Sequence, residues 1–290
     1  MRQRIVATYS LAACDPANGD LGVVVQSKFL AVGAVVPWAI AGVGAVATQA
    51  RANPTFGPDG LRLLQQGATA QEALDRLVAA DDGRDHRQVG LVDARGNAAT
   101  YTGSGCFSWA GGRTGHGYTA QGNILVSQAT VDALAETFEA TGGSLADRLI
   151  AALAAAQAAG GDSRGMQSAA ILVVRERGGY CGFNDQYIDL RVDDHPAPID
   201  ELTRIMRLHT LYLEPTAEGT ALAVTADLTR EIQSMLAAAG DYRNPVTGIY
   251  DEATATAMAA YAGRENLEMR EGSATWIDPL VLQYMRDNNR

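Results

Sequence analysis

The 290-residue chain contains a single lysine, Lys28, beside 22 arginines. Arginine keeps its charge in almost every setting, whereas lysine loses its proton readily when it is desolvated. A lone lysine at the end of an apolar stretch is therefore a candidate functional side chain, although an edge-strand lysine that faces water is an equally ordinary explanation. Because the formal net charge is −10, the chain lacks the basic surface that nucleic acids or anionic membranes require.

Cysteine and long apolar runs are also scarce. Cys14, Cys106 and Cys181 are odd in number, far apart and without a C-x-x-C pair, which predicts neither a disulfide framework nor a zinc site and fits a reducing compartment. The longest apolar stretch, residues 29–50, is interrupted by Pro37 and several glycines. It is expected to form strands and turns rather than a membrane span.

Targeting and nucleotide-binding motifs are missing as well. The N-terminal segment MRQRIVATYSLAAC places two arginines before an apolar run that is too short for a signal peptide. The glycine-rich stretches match neither a dinucleotide fingerprint nor a phosphate-binding loop. We therefore expect a cytoplasmic protein that uses no cofactor and no metal.

The periodicity of the apolar residues predicts strands, helices, strands, helices, strands and a helix, in that order. Thr69 followed by Glu72 has the spacing of a capping box. Antiparallel strand pairs separated by paired helices favour a layered α+β domain, with two sheets between helix layers. The predicted strands cover residues 5–13, 21–26, 32–36, 42–48, 87–93, 98–102, 118–125, 168–175 and 189–192. The predicted helices cover residues 61–65, 69–80, 131–141, 145–160, 198–212, 226–239, 252–266 and 279–286.

A change of composition near the C-terminus indicates a second domain. Residues 1–213 are expected to form the α+β domain, and residues 214–222, which include EPTAEGT, are expected to be a linker. Residues 223–290 are expected to form a small all-α module of three helices. A module of this size buries a modest core and is expected to dock on the larger domain or on a partner subunit.

Long motifs in a fixed order carry a family resemblance. They are TYSLAACDP from Thr8, VQSKFLAVGAVVPWA from Val25, GVGAVATQARANP from Gly42, RQVGLVD from Arg87, QGNIL from Gln121, QAAGGDSRGMQSAA from Gln157 and DLRVDDH from Asp189. Residues 8–210 thereby resemble the family DUF1028, which is placed in the N-terminal-nucleophile (Ntn) hydrolase superfamily. The segments IQSMLAAAGDY and GIYDEATATAM are similar to the peptidoglycan-binding-like modules that some members carry at their C-terminus.

The resemblance implies a four-layer αββα sandwich and a catalytic position at Thr8. In an Ntn hydrolase, the first residue of the mature chain attacks an amide, and its own α-amine serves as the base. An α-amine suits this role because its pKa of about 7.7–8.0 lies near working pH. Cleavage between Ala7 and Thr8 is required before that amine exists. A Lys28 ammonium nearby would keep the amine neutral and stabilise developing negative charge.

Side-chain amides and carboxylates complete the candidate site. Asn123 follows a glycine and is a candidate oxyanion donor. Ser27, Gln49, Asn53 and Asp194 are candidate substrate-binding residues, with capping and loop hydrogen bonds as the ordinary alternative for the two amides. The Asp193-Asp194-His195 run resembles a metal or acid/base cluster, but the helix expected after it favours a capping role.

The leading hypothesis is a hydrolase of non-peptide C–N bonds that acts on a small amide and forms a homodimer or a higher homo-oligomer. One alternative is an inactive Ntn-like fold that serves as a ligand-binding or assembly module. Another alternative keeps an enzyme but leaves the chain uncut, with Lys28, Asp193 and Asp194 carrying the chemistry.

Overall fold

The computed structural model describes residues 8–270 and 272–288, and it has a mixed α+β fold, which confirms the predicted class. The chain divides into two compact units between Ile205 and Met206, inside one long helix. The strands of the N-terminal unit are β1 (Thr8–Asp15), β2 (Asp20–Ser27), β3 (Pro37–Ile40), β4 (Gly44–Ala50), β5 (Arg87–Asp93), β6 (Ala98–Thr102), β7 (Gly111–Gly115), β8 (Tyr118–Asn123), β9 (Ser168–Val174) and β10 (Gln186–Val192). Its helices are α1 (Phe56–Gln65), α2 (Ala70–Ala79), α3 (Ala129–Ala140), α4 (Leu145–Ala158) and α5 (Pro198–Leu213), the last of which continues into the second unit. None of the described helices is long and apolar enough to cross a lipid bilayer.

Two antiparallel sheets form the centre of the N-terminal unit. The larger has the strand order β10-β9-β2-β1-β8-β7, and the smaller has the order β3-β4-β5-β6. The sheets face each other, since β1 contacts β4 and β5, and β8 contacts β5. Helices α3 and α4 pack on the larger sheet, and α1 and α2 pack on the smaller one. This packing follows from strands with two buried faces, which must be covered on both sides.

One end of the space between the sheets is filled by small and medium apolar side chains, which we call the apolar end. These side chains are buried because successive residues of a strand face opposite sides, so that every second residue of β1 and β2 points to the other sheet. The apolar end consists of Ala12, Cys14, Leu21, Val23, Val25, Ala45, Ala47 and Val92.

Two strand predictions fail for physical reasons. The apolar residues 32–36 were expected to form a strand, but Val32–Ala34 forms a 3₁₀ turn and the next strand begins at Pro37. Ala31 has a left-handed backbone with φ of 54°, which ends extended structure there. Strand β7 was not predicted, because its sequence GGRTG has no apolar alternation.

Several predicted elements are confirmed to the residue. Strands β5 and β6 have the predicted bounds. The Thr69 hydroxyl accepts a hydrogen bond from the Glu72 backbone N–H, and the Glu72 carboxylate accepts one from the Thr69 backbone N–H. The predicted first strand began at residue 5; residues 5–7 lie outside the described residues, and β1 is described from Thr8.

The C-terminal unit is mainly helical, as expected. Its further elements are β11 (Leu222–Ala223), α6 (Ala226–Ala238), α7 (Glu252–Arg264), β12 (Trp276–Ile277) and α8 (Pro279–Asn288). The three helices agree with the predicted ones, whereas the short antiparallel pair of β11 and β12 was not predicted. The buried Gln233 fixes the chain between α6 and α7: its amide nitrogen donates to Thr254 Oγ1, and its amide oxygen accepts from the N–H groups of Thr247 and Gly248.

Candidate functional site

Three of the predicted site residues lie side by side at one edge of the larger sheet. Thr8, the first residue of β1, pairs with Ser27 at the end of β2 and with Asn123 at the end of β8. Ser27 in turn pairs with Ser168, where β9 begins. The first two predicted strands, residues 5–13 and 21–26, thus form a hairpin that places Thr8 beside Ser27.

Thr8 itself is fully buried, and its side chain lies on the face of β1 that meets the smaller sheet. Its Oγ1 donates to Ser27 Oγ at 3.3 Å, and its carbonyl oxygen accepts from Gln49 Nε2 at 3.3 Å. The Thr8 hydroxyl is therefore held by the Ser27 hydroxyl, and the Thr8 backbone carbonyl is held by the Gln49 side-chain amide. This is the environment of a candidate nucleophile, since neighbouring donors can stabilise charge that develops on a reacting oxygen.

Gln88, on β5 of the smaller sheet, connects the two candidate amides. Its Oε1 accepts from Gln49 Nε2 and from Asn123 Nδ2, both at 2.9 Å. Its own Nε2 donates to Gly122 O at 2.7 Å and to Thr102 Oγ1 at 2.9 Å. Gln88 thus fixes which way both amides point, and its bonds to Asn123 and Gly122 join the two sheets across the space between them.

A second layer of hydrogen bonds lies deeper between the sheets. Ser10 Oγ donates to Gln49 Oε1 at 2.6 Å, and Gln121 Nε2 donates to Ser10 Oγ at 2.7 Å. Gln121 Oε1 accepts from Thr119 Oγ1 at 2.8 Å. A Cβ at Gly90 would collide with Gln121 Oε1, so a larger residue there would displace this amide from its present position.

We call this set of buried side chains the polar end of the space between the sheets. It consists of Thr8, Ser10, Gln49, Gln88, Gln121 and Asn123, all of which are no more than 1% exposed. Each of these side chains has a hydrogen-bond partner, as a buried polar group requires. None of them titrates near neutral pH, so the hydrogen bonds of the polar end do not depend on pH.

Lys28 follows Ser27 in the chain and is exposed to solvent. Its Nζ donates to Met166 O at 3.0 Å, and its backbone N–H donates to Asp162 Oδ2 at 3.0 Å. The structure therefore favours the alternative of a lysine that faces water, because the chain leaves the sheet at Ser27 and the lysine follows in a bend.

A different polar cluster lies on the other face of the larger sheet, the face on which α4 packs. The hydroxyl of the buried Tyr9 donates to Gln157 Oε1 at 2.9 Å, and burial together with the Asp162 carboxylate raises the pKa of Tyr9 well above its usual value. Asp162 is itself buried and accepts two hydrogen bonds from the Arg164 guanidinium. Gln26, opposite Tyr9 in register, is fully buried, and neither of its amide atoms has a hydrogen-bond partner among the described residues.

The structure does not bring Asn53 to Thr8. Asn53 Nδ2 donates to Asp81 Oδ2 at 3.3 Å, and the Arg87 guanidinium holds the pKa of Asp81 below its usual range. Asn53 lines a cavity of about 510 Å³ bounded by α1 and α2, and neither Thr8 nor Gln49 is among the residues around it. The Asn53 side chain therefore makes hydrogen bonds in and around the loop before α1. This agrees with the alternative of loop hydrogen bonding rather than substrate binding.

The Asp193-Asp194-His195 run lies where β10 ends. Asp194 Oδ1 accepts from Gln167 Nε2 at 3.0 Å, and the Gln167 backbone N–H donates to Ser27 O at 3.0 Å. His195 Nδ1 accepts from the Ala197 backbone N–H at 3.1 Å just before α5, in agreement with the predicted capping role. Within residues 8–270 and 272–288, no group of three or more His, Cys, Asp or Glu side chains is arranged to hold a metal ion.

Sequence reasoning found Gln49 and Asn123 but missed Ser10, Gln88 and Gln121. A signal for two of them is present, because Thr8 with Ser10 and Gln121 with Asn123 are spaced two apart. In a strand, that spacing places both polar side chains on one face. Polar pairs on otherwise apolar strands predict a polar face, which is either buried or exposed to solvent. Which of the two applies depends on whether another sheet covers that face.

Comparison with known proteins agrees with this division of the chain. Residues 8–202 match the model of "Family of unknown function (DUF1028)", and residues 211–285 match that of "Putative peptidoglycan binding domain". The structure is similar to the crystal structure of protein SPO2555 from Silicibacter pomeroyi, described as a DUF1028 protein, with a TM-score of 0.66 and 32% sequence identity over 72% of this chain and 88% of that one. No curated protein gives a match. The chain thus belongs to the DUF1028 family, and its C-terminal region carries a peptidoglycan-binding-type domain.

Proposed function

We propose that this protein is an Ntn-type hydrolase that cleaves the C–N bond of a small amide, with Thr8 as the nucleophile. The observation that carries the proposal is the buried Thr8 hydroxyl, which is held by Ser27 and lies beside Asn123, with the Gln49 amide bonded to the Thr8 carbonyl. The family match also begins at Thr8. The packing of two sheets between two helix pairs is consistent with the αββα sandwich of this superfamily.

The proposed reaction begins with cleavage before Thr8, which exposes its α-amine. The amine takes the proton of Oγ1 while the oxygen attacks the carbonyl carbon of the substrate. The same proton then goes to the leaving nitrogen, so an amine departs and an ester on Thr8 remains. Water attacks this ester, and the carboxylic acid product leaves with Oγ1 protonated again.

Each neighbouring residue has a role in this scheme. Asn123 Nδ2 is the oxyanion donor, and Gln88 Oε1 sets its direction. Ser27 positions the Thr8 hydroxyl. Lys28, which is exposed at the end of the same strand edge, contributes a positive charge at the rim rather than a desolvated ammonium in the site.

A β-lactone probe tests the nucleophile without a known substrate, because its ring opens on attack by a hydroxyl and leaves a covalent adduct. We expect intact-mass spectrometry to show a chain that begins at Thr8 and gains one probe mass on that residue. Thr8→Ala should retain residues 1–7 and remain unlabelled, whereas Thr8→Ser should still be cut and labelled. Thr130→Ala, which removes another buried threonine hydroxyl far along the chain, is the matched control and should behave as the parent protein.

A parent chain that keeps residues 1–7 and takes up no probe at Thr8 would contradict the proposal. That result would favour the alternative of an inactive fold that binds a ligand or supports assembly. The hydrogen bonds of Gln49, Gln88 and Asn123 would then have a structural role only.

For the C-terminal unit we propose binding to peptidoglycan. The supporting observations are the match of residues 211–285 and a cavity of about 590 Å³ within this unit, which is in the usual size range of ligand sites, about 300–1,000 Å³. Retention of the full-length protein on isolated peptidoglycan sacculi tests this proposal. Absence of retention would refute it.

A further inference from the structure

The cavity of the C-terminal unit lies beside α7. Ala255, Ala259 and Ala262 form part of its lining and recur at helical spacing, so one face of α7 supplies a smooth apolar wall. Trp276 of β12 also lines the cavity and is partly exposed. Small side chains beside an aromatic ring leave space for a ligand that carries an apolar chain.

The charges around this cavity are mostly negative. Asp251, Glu252 and Glu268 belong to its lining and are exposed. Hydrogen bonds from the side chain and backbone of Thr254 lower the pKa of Asp251, so this carboxylate stays ionised at neutral pH. None of the ion pairs among the described residues of this unit involves Glu252 or Glu268.

The one cation of the described lining, Arg270, is already engaged. It is 6% exposed, and its guanidinium binds the Asp278 carboxylate at 2.5 Å, Leu211 O at 2.8 Å and also Thr210 O. Arg270 therefore cannot neutralise the carboxylates at the cavity mouth. A ligand that enters this cavity meets an apolar wall, an aromatic ring and uncompensated negative charge.

We infer that the cavity binds the part of its ligand that carries an ammonium group on an apolar chain. The inference rests on the proposed peptidoglycan binding and names the recognised group: the free amine of the diamino acid in the stem peptide. The alkyl portion lies along the alanines of α7, and the ammonium is attracted both by the carboxylates of Glu252 and Glu268 and by the face of Trp276. A glycan segment without an amine should therefore bind less well, since it offers no positive charge to offset the carboxylates.

Acetylation of the free amines tests this directly, because it removes the charge and leaves the glycan and the peptide length unchanged. The full-length protein is pelleted with native sacculi and with sacculi treated with acetic anhydride. We expect retention on the acetylated sacculi to fall about tenfold, in line with the loss of one partly desolvated charge interaction. The double variant Glu252→Gln/Glu268→Gln should show the same loss on native sacculi and little further loss after acetylation.

Glu218→Gln is the matched control, since Glu218 is exposed in the same unit but does not line the cavity, and it should bind as the parent protein does. Equal retention on native and acetylated sacculi would overturn the recognition of the amine while leaving peptidoglycan binding in place. Equal binding by the double variant and the control would overturn the assignment to this cavity. Failure of the parent protein to bind native sacculi would refute both the proposed binding and the inference built on it.

Discussion

The two ends of the space between the sheets are built from the same strands and differ in what fills them. At the apolar end, Ala12 and Val25 pack among alanines, valines and a leucine. At the polar end, only a few residues away on the same strands, Thr8 and Ser10 join a buried layer of hydroxyls and amides. Either filling is compatible with two packed sheets.

Stability alone gives no reason to prefer a polar filling over an apolar one at the polar end. A buried hydrogen bond contributes only about 1 kcal/mol net, and each amide loses its hydration on burial. An apolar filling of similar volume would stabilise the fold at least as well. The buried polar layer around Thr8 is consistent with the chemistry that we propose at that residue.

The largest expected contrast concerns the cysteines. Cys14 belongs to the apolar end and is 3% exposed, and burial raises its pKa to about 11. Cys181 is exposed. Alkylation by a maleimide at neutral pH should therefore be slower at Cys14 than at Cys181 by roughly 4,000-fold or more, because Cys14 reacts only after unfolding and unfolding costs about 5 kcal/mol or more. Similar rates, measured by peptide mass spectrometry, would show that the apolar end opens readily.

Gln88→Met should cause the next largest change. The substitution keeps the length of the side chain but removes the acceptor of Gln49 and Asn123 and the donor to Gly122. We expect the free energy of unfolding in urea to fall by about 4 kcal/mol, since several buried groups lose their partners together. If Thr8 is the nucleophile, labelling of Thr8 by the β-lactone should also fall. A stability close to that of the parent would mean that water replaces the Gln88 amide at the polar end.

Leu21→Ala tests the apolar end in the same assay. It removes a fully buried side chain from the cluster and should lower the free energy of unfolding by about 3 kcal/mol through lost burial and a residual cavity. Labelling of Thr8 in the folded protein should be unchanged, in contrast to Gln88→Met. A matching loss of labelling would indicate that the two ends are not independent.

Gln26→Met should cause the smallest change in the free energy of unfolding, and it should raise this free energy rather than lower it. Gln26 is as buried as Gln88, but its amide has no hydrogen-bond partner among the described residues. Replacing it with an apolar side chain of similar shape should raise the free energy of unfolding by about 1 kcal/mol. Destabilisation would instead show that Gln26 is bonded in solution, for example through a buried water molecule.

Much of the fold follows from the sequence because its strands and helices carry clear local patterns. Arg87–Asp93 is a short segment with valine and leucine that lies between turn residues, and Thr69 with Glu72 marks the start of α2. The apolar residues of the turn at Val32–Ala34 predict a strand, because the contacts that hold the turn are made with residues distant in sequence. Gly33 packs so close to β9 that an added Cβ would lie 2.5 Å from the Cβ of Ala170, and the Val32 backbone N–H donates to Ser168 Oγ.

The site was harder to predict than the fold. The sequence places Thr8 beside Ser27 because a short hairpin fixes that register. It cannot place Gln88 beside Asn123, since they belong to different sheets and meet only through tertiary packing. The predicted strand already ends at Gln26, one residue before the end of β2, but the sequence alone does not tell whether the lysine that follows is buried or exposed. Long-range pairing, rather than residue chemistry, was the missing information.

The missing side chain at Gly90 has an evolutionary consequence. Because a Cβ there would collide with Gln121 Oε1, a larger residue at position 90 would force the Gln121 amide out of its present position. Relatives that carry alanine or a larger residue at position 90 should carry a shorter residue than glutamine at position 121. Such paired changes in an alignment of the family would indicate that the close approach of the two sheets at this point is shared by its members.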